Sequence, residues 1–154
     1  MVNVFLYAPQ DFRNLCVLAR TLEVFGHLEC YVFDPRRLVR DRYGKSRGRE
    51  MRVVSAGAFS KIGWNRVEDP ARFLADYPGR VIAMVADASA TELTRFHFSP
   101  EDLLVFGSES QGLPLAVVDD ADATVTIPSR GQTQSLNLAV SMGIVLFEAQ
   151  RQVG

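Results

Sequence analysis

Cysteine, histidine and tryptophan are scarce in this chain, at two, two and one among 154 residues. Cys16 and Cys30 lack the close spacing of a metal knuckle, and His27 and His97 stand apart from each other and from both thiols. No metal site is therefore expected. Two lone cysteines read as buried, reduced thiols rather than as a disulfide framework. No apolar run reaches the roughly 18 residues that cross a bilayer, so no membrane contact is expected. The start, Met1-Val2-Asn3-Val4-Phe5-Leu6-Tyr7, has neither the basic flank nor the cleavage site of a signal peptide, which suggests a cytoplasmic protein. An excess of one charge is also missing. Seventeen Lys and Arg face 18 Asp and Glu, a net charge of -1, so any nucleic-acid contact must come from a local patch. There is no G-x-G-x-x-G, and an ordinary dinucleotide site lacks its fingerprint. Gly44-Lys45-Ser46-Arg47-Gly48 has the spacing of a nucleophile elbow, but the charged Arg40-Asp41-Arg42-Tyr43 before it cannot be the buried strand that such an elbow needs.

What the chain does have is apolar content, 47% of its residues, enough for one compact domain over residues 1–154 with no room for a second. Short apolar runs at 2–7, 28–33, 81–85, 103–106 and 123–127 read as buried strands. Helical spacing appears over 14–25, with Gly26 as its stop, and over 135–152. Asp69 and Pro70 mark the cap and first residue of a helix over 69–77. Strands alternating with helices predict an α/β fold, a mostly parallel sheet flanked by helices.

Two loops follow strands in a manner suited to a pocket. Phe106-Gly107-Ser108-Glu109-Ser110-Gln111-Gly112-Leu113-Pro114 continues Leu103-Leu104-Val105, and Ile127-Pro128 leads through a polar loop to Ser135-Leu136-Asn137 at a helix start. Such loops at strand ends form ligand sites in α/β folds. The segment 36–52 holds Arg36, Arg37, Arg40, Arg42, Lys45, Arg47, Arg49 and Arg52 against only Asp41 and Glu50, eight of the 17 basic residues. A charge run is often a solvated loop. Beside a pocket, it reads as a phosphate-binding surface for RNA.

These residues resemble the SPOUT class of S-adenosylmethionine-dependent RNA methyltransferases, in its SpoU branch of ribose 2′-O-methyltransferases. Three motifs carry the resemblance in order: Asn14 with Arg20 six residues on and then Phe25-Gly26, the run Phe106 to Pro114, and Ile127-Pro128 with Ser135-Leu136-Asn137. The short length and the Glu148-Ala149-Gln150-Arg151-Gln152 ending look most like the minimal members that modify the tRNA wobble position. Leu15, Cys16 and Val17 depart from the Asn and Gly that those members carry, and Ser55-Ala56-Gly57-Ala58 is similar to a segment of other branches, including rRNA enzymes.

The resemblance implies a C-terminal trefoil knot, a homodimer with its site at the subunit boundary, and an RNA substrate, tRNA ahead of rRNA. It implies S-adenosylmethionine held by Met84, Val85, Gly107, Glu109, Gly112, Leu113, Ile127, Pro128 and Leu136, with no metal. Arg20, Asn14, Glu109, Ser135 and Asn137 would be catalytic, and Arg36, Arg37, Arg40, Arg42, Lys45 and Arg47 would hold RNA. Arg20 is either the base that takes the 2′-hydroxyl proton or a charged anchor for the phosphate. Neutralising an arginine at pH 7 costs about 5.5 pK units, or roughly 7.5 kcal/mol, large but within an enzyme's reach. The alternative from another class is a non-catalytic RNA-binding protein that retains the fold and pocket. A methyltransferase for a small molecule or protein would leave the arginine run unexplained.

Overall fold

The computed structural model describes residues 1–39, 45–133 and 135–154, with the side chains of Lys45 and Ser46 set aside. Among these residues seven strands, β1 (Asn3–Tyr7), β2 (Glu29–Phe33), β3 (Gly63–Arg66), β4 (Val81–Met84), β5 (Thr91–Glu92), β6 (Leu103–Phe106) and β7 (Ala123–Thr126), form one sheet in the order β3-β2-β1-β6-β4-β7-β5. Every pairing is parallel. Among the described residues five α-helices, α1 (Phe12–Val24), α2 (Lys45–Val54), α3 (Pro70–Ala75), α4 (Leu115–Asp120) and α5 (Leu138–Val153), cover its faces. The fold is α/β, as the alternating pattern implies.

Strand alternation sorts the core into two layers. Val4, Leu6, Val32, Ile82 and Leu104 face α1 and α5, where Leu15, Leu18, Leu22, Met142 and Leu146 are fully buried. Phe5, Val81, Leu103 and Val105 face the other way, toward Phe73 and Leu74 of α3 and Val117 of α4. Each such leucine contributes roughly 1.5–3 kcal/mol relative to exposure. The all-apolar Leu103–Phe106 run follows from its place: β6 lies between β1 and β4 and is covered on both faces.

Capping fixes where the helices begin and end. Asp11 starts α1 by accepting the Asn14 N–H at 2.6 Å. Gly26, at φ +77°, ends it, with the His27 N–H returning to the Leu22 carbonyl at 2.8 Å. His27, which follows the helix-ending Gly26 and reads from the sequence as a surface or C-cap residue, packs inside at 6% exposed. His97, whose place between Phe96 and Phe98 suggests the core edge ahead of a site, is exposed. Asp69 caps α3 with Pro70 at its first position, as expected. The last helix begins later than expected, because Asn137 is its cap and Ser135 and Leu136 belong to the loop before it. Cys16 and Cys30 are buried thiols. Burial, then Glu50 and Asp11, pushes the Cys16 thiol up to about 11, and burial raises Cys30 as well.

One outer surface stays apolar. Val17 and Val24 on α1, and Val140, Ile144 and Phe147 on α5, are exposed, Phe147 to 61%. Their spacing of three, four and seven residues makes a stripe on each helix. Among the described residues, no helix is long and apolar enough to cross a membrane.

Candidate active site

Because all strands are parallel, the loops after β1, β2, β4, β6 and β7 emerge at one edge of the sheet, the usual side for ligands in such folds. The loop after β6 is the most constrained. Ser108 and Gly112 exchange backbone hydrogen bonds of 3.1 and 3.0 Å, closing a tight turn. That turn lays the Gly112–Leu113 peptide over Gly107, where a Cβ would sit 2.1 Å from the Gly112 carbonyl carbon. Gly112 itself takes φ +65°. Both glycines of the motif are thus required by geometry, one for close approach and one for backbone conformation.

This turn projects Glu109 toward the start of α1. Its Oε2 accepts the Gln10 N–H at 2.8 Å, and its Oε1 accepts the Asn14 side-chain amide at 3.1 Å and the Asp11 N–H at 3.3 Å. A carboxylate near the first turn of a helix is also favoured by the exposed amides there. Glu109 and Asn14, from two motifs, are therefore one hydrogen-bonded unit. With its lone pairs engaged in this way, Glu109 acts as a brace.

Arg20 is not part of that unit. It lies six residues beyond Asn14, about 9 Å along the helix and on another face. It is exposed between Val17 and Val24, and its side chain makes no hydrogen bond or ion pair with any described residue. Ser135, Leu136 and Pro128 are exposed, while Met84, Val85, Leu113 and Ile127 are half-buried. Asn137 spends its side-chain oxygen on the Ala139 and Val140 amides at 2.8 and 3.3 Å.

Of the basic residues, Arg36 reaches the site: its Nη1 donates to the Gln10 carbonyl at 3.3 Å. Arg47 lies over the Phe12 ring at 5.2 Å, beside the start of α1. Arg37 is exposed in the same loop. Arg40, Arg42 and the Lys45 side chain lie outside the described residues. The buried Asp34 anchors this loop by accepting the Leu38 and Val39 N–H groups at 2.8 and 2.7 Å. Gln10 had no signal in the sequence, yet it touches Glu109, Ser110 and Arg36.

A small cleft of about 220 Å³ lies between the β1 and β6 loops, lined by Tyr7, Gln10, Ser108, Gln111 and Leu113 among others. A larger one, about 690 Å³, lies by α3 and the β2–β3 edge. Size favours the second and chemistry the first. In the larger cleft the polar groups are spent on one another: Asn3 donates to the Tyr77 hydroxyl at 2.7 Å, which donates to the Glu101 carbonyl, and Arg72 pairs with Asp76. No motif residue lines it. Among the described residues, no three His, Cys, Asp or Glu side chains gather as a metal site would need.

A loop-borne site at the carboxyl edge of a parallel sheet, with three motifs in this order, is a family signature. The profile of the SpoU rRNA Methylase family matches residues 1–147, and the chain belongs to that family. Among its relatives, the tRNA (cytidine(34)-2′-O)-methyltransferase of Beijerinckia indica subsp. indica is 46% identical over 157 aligned residues, 97% of this chain and 90% of that protein. A solved structure concerned with the 2-OH methylation of C/U34 on tRNA superposes with a TM-score of 0.84 at 30% identity, covering 99% of this chain and 90% of that one. The AdoMet-bound rRNA methyltransferase from Sinorhizobium meliloti superposes with a TM-score of 0.79 at 27% identity, covering 97% of this chain and 56% of that one.

Proposed function

We propose that this chain is an S-adenosylmethionine-dependent 2′-O-methyltransferase that modifies nucleotide 34 of tRNA. The observation that carries this reading is the Glu109 unit, which locks the first motif to the second across 95 residues and leaves the loop edges open to ligand. The relative of 46% identity and the structure concerned with C/U34 favour the wobble nucleotide over rRNA.

The residues present fit the cofactor. Met84, Val85, Ile127 and Leu136 offer partly exposed apolar surface at the strand ends, suited to the adenine ring and the methionine chain. Gly107, Gly112 and Leu113 bring main-chain groups close to that edge, and Pro128 sets the direction of the opposite loop. The cofactor, when bound, supplies an electrophilic methyl group. The chain's own task is to fix the ribose in line and deal with the proton of its 2′-hydroxyl.

Arg20 takes that task from the exposed face of α1, reaching a site on a second copy of the chain. The apolar stripe around it supports this reading: Val17, Val24, Val140, Ile144 and Phe147 would be covered by a homodimer built on α1 and α5. The trefoil knot is part of the same proposal, since the family fold carries one, and β6 inserted between β1 and β4 suits it. Arg36, Arg37 and Arg47, with Arg40, Arg42 and Lys45, would hold the tRNA phosphates. Asn137 and Ser135 would order the loop that faces the nucleotide.

The test is methyl transfer from labelled S-adenosylmethionine to total tRNA from a strain lacking the gene, followed by mapping of 2′-O-methyl groups. Label at nucleotide 34 is the expected result. Label only in rRNA would overturn the substrate. Binding of both ligands without transfer would favour the non-catalytic alternative.

A further inference from the structure

Among the described residues, Gln10 bonds both the arginine loop and the cofactor-side loop. Its N–H donates to Glu109 Oε2 at 2.8 Å, and its side-chain Oε1 accepts the Ser110 hydroxyl at 2.7 Å and the Ser110 N–H at 3.2 Å. Its carbonyl accepts Arg36 Nη1 at 3.3 Å. The backbone around this junction is held in an uncommon shape. Ala8, two residues before Gln10, has φ +54°, and Arg37, next to Arg36, has φ +55°. L-residues keep such left-handed conformations only where surrounding contacts hold them, and these recur at functional loops.

We propose that Gln10 is a positioning residue that couples tRNA engagement at Arg36 to cofactor binding by the loop 107–114. The inference rests on the function proposed above. A guanidinium has five N–H donors, and only one atom of Arg36 is spent on Gln10. Its remaining fork can take a phosphate through two charge-assisted bonds, stronger than the bond to a neutral carbonyl. A phosphate held there immobilises the exposed Arg36 side chain, the Gln10 peptide bonded to it, and the 109–110 segment bonded in turn to Gln10. The cofactor then meets a loop already ordered. Two ligands that order the same segment bind with positive cooperativity, and the effect is reciprocal.

The experiment measures S-adenosylhomocysteine affinity by calorimetry, with and without total tRNA from a strain lacking the gene, so that no turnover intervenes. In the unaltered protein tRNA should tighten the binding by about fivefold or more. Arg36→Ala removes the phosphate anchor and should shrink the tightening to less than about twofold, whereas Gln10→Ala and Ser110→Ala, which break the Gln10–Ser110 side-chain contact but leave the backbone bonds to Glu109 and Arg36, should each reduce it in part. The two surface variants keep the test valid should Gln10→Ala fold poorly. A purely structural Gln10 would lower thermal stability and basal cofactor affinity while leaving the ratio as it was, and that result would overturn the proposal. Binding of both ligands with no mutual effect in the unaltered protein would overturn it too, with the function intact. Binding of neither ligand would reject the function, and the coupling with it.

Discussion

Glu109→Gln tests the brace at the level of one atom. The substitution keeps the shape but turns one acceptor oxygen into an N–H donor, which then faces either the Gln10 backbone amide at the Oε2 position or the Asn14 and Asp11 amides at the Oε1 position. A donor left without an acceptor in this half-buried place costs about 1 kcal/mol or somewhat more, the low end of the range for buried groups. At about 2–4 °C per kcal/mol for a chain of this size, the melting temperature should fall by several degrees, together with methyl transfer. An unchanged melting curve would mean that the brace is dispensable. The two glycines of the same loop should behave differently. Gly107→Ala forces a Cβ into the Gly112 backbone and should cost about 1–3 kcal/mol or more, whereas Gly112→Ala has open space and pays only for its φ of +65°, about 1–2 kcal/mol. Chemical denaturation ranks them directly. Glu109, Gly107 and Asn14 were legible in the sequence because the motif needs their side chains, or the lack of one. Gln10 was not, because two of its three roles use backbone atoms and its partners lie 26 to 100 residues away.

At the element scale, α5 is fixed at both ends. Asn137→Ala should cost about 0.5–2 kcal/mol by removing the cap, while Asn137→Asp should hold stability, since Asp caps as well as Asn. If the amide also meets the nucleotide, Asn137→Asp will lose activity at full stability, and retained activity would confine the residue to capping. At the far end, Gln152 bonds the Phe96 carbonyl and the Phe98 N–H, and Glu148 holds both Gln152 and Arg151. Arg151, and then Gln152, keep the Glu148 carboxyl at about 2, below its ordinary 4.5. A lowered carboxyl stabilises the fold above its unfolded value and loses that contribution as pH falls through the folded one. The expected window is therefore pH 4.5 to 2, and thermal unfolding of Glu148→Gln should show a shallower pH slope across it. The long apolar strands were readable for the reason that they are covered on both faces. β3 and β5 escaped because they are short, polar edge strands, Gly63–Arg66 and Thr91–Glu92. α2 was read as a charge run; Met51, Val54 and the Arg47–Phe12 contact tie it to the core, which no local pattern reveals.

For the whole molecule, the prediction concerns two copies. Ile144→Asp with Phe147→Asp places charge in the exposed stripe and should yield a monomer by light scattering, folded but inactive. A monomeric mass for the unaltered protein at micromolar concentration would rule out the dimer. If Arg20 serves the neighbouring copy, Arg20→Ala and a cofactor-loop variant, each inactive, should restore about a quarter of the sites when unfolded and refolded together in equal amounts, since half the dimers are mixed and each has one complete site. No recovery would place Arg20 within its own subunit's chemistry.

The insertion of β6 between β1 and β4 also bears on how this protein is made. The open edge of β1 is finished only by residues 103–106. At roughly 5–20 residues per second, a ribosome needs about 5–20 s to deliver that strand after β1 has emerged. For that interval the nascent chain carries an apolar, unpaired edge, a ready template for pairing with a neighbouring nascent chain. Synthesis speed and chaperone supply should therefore govern its yield more than the stability of the finished fold.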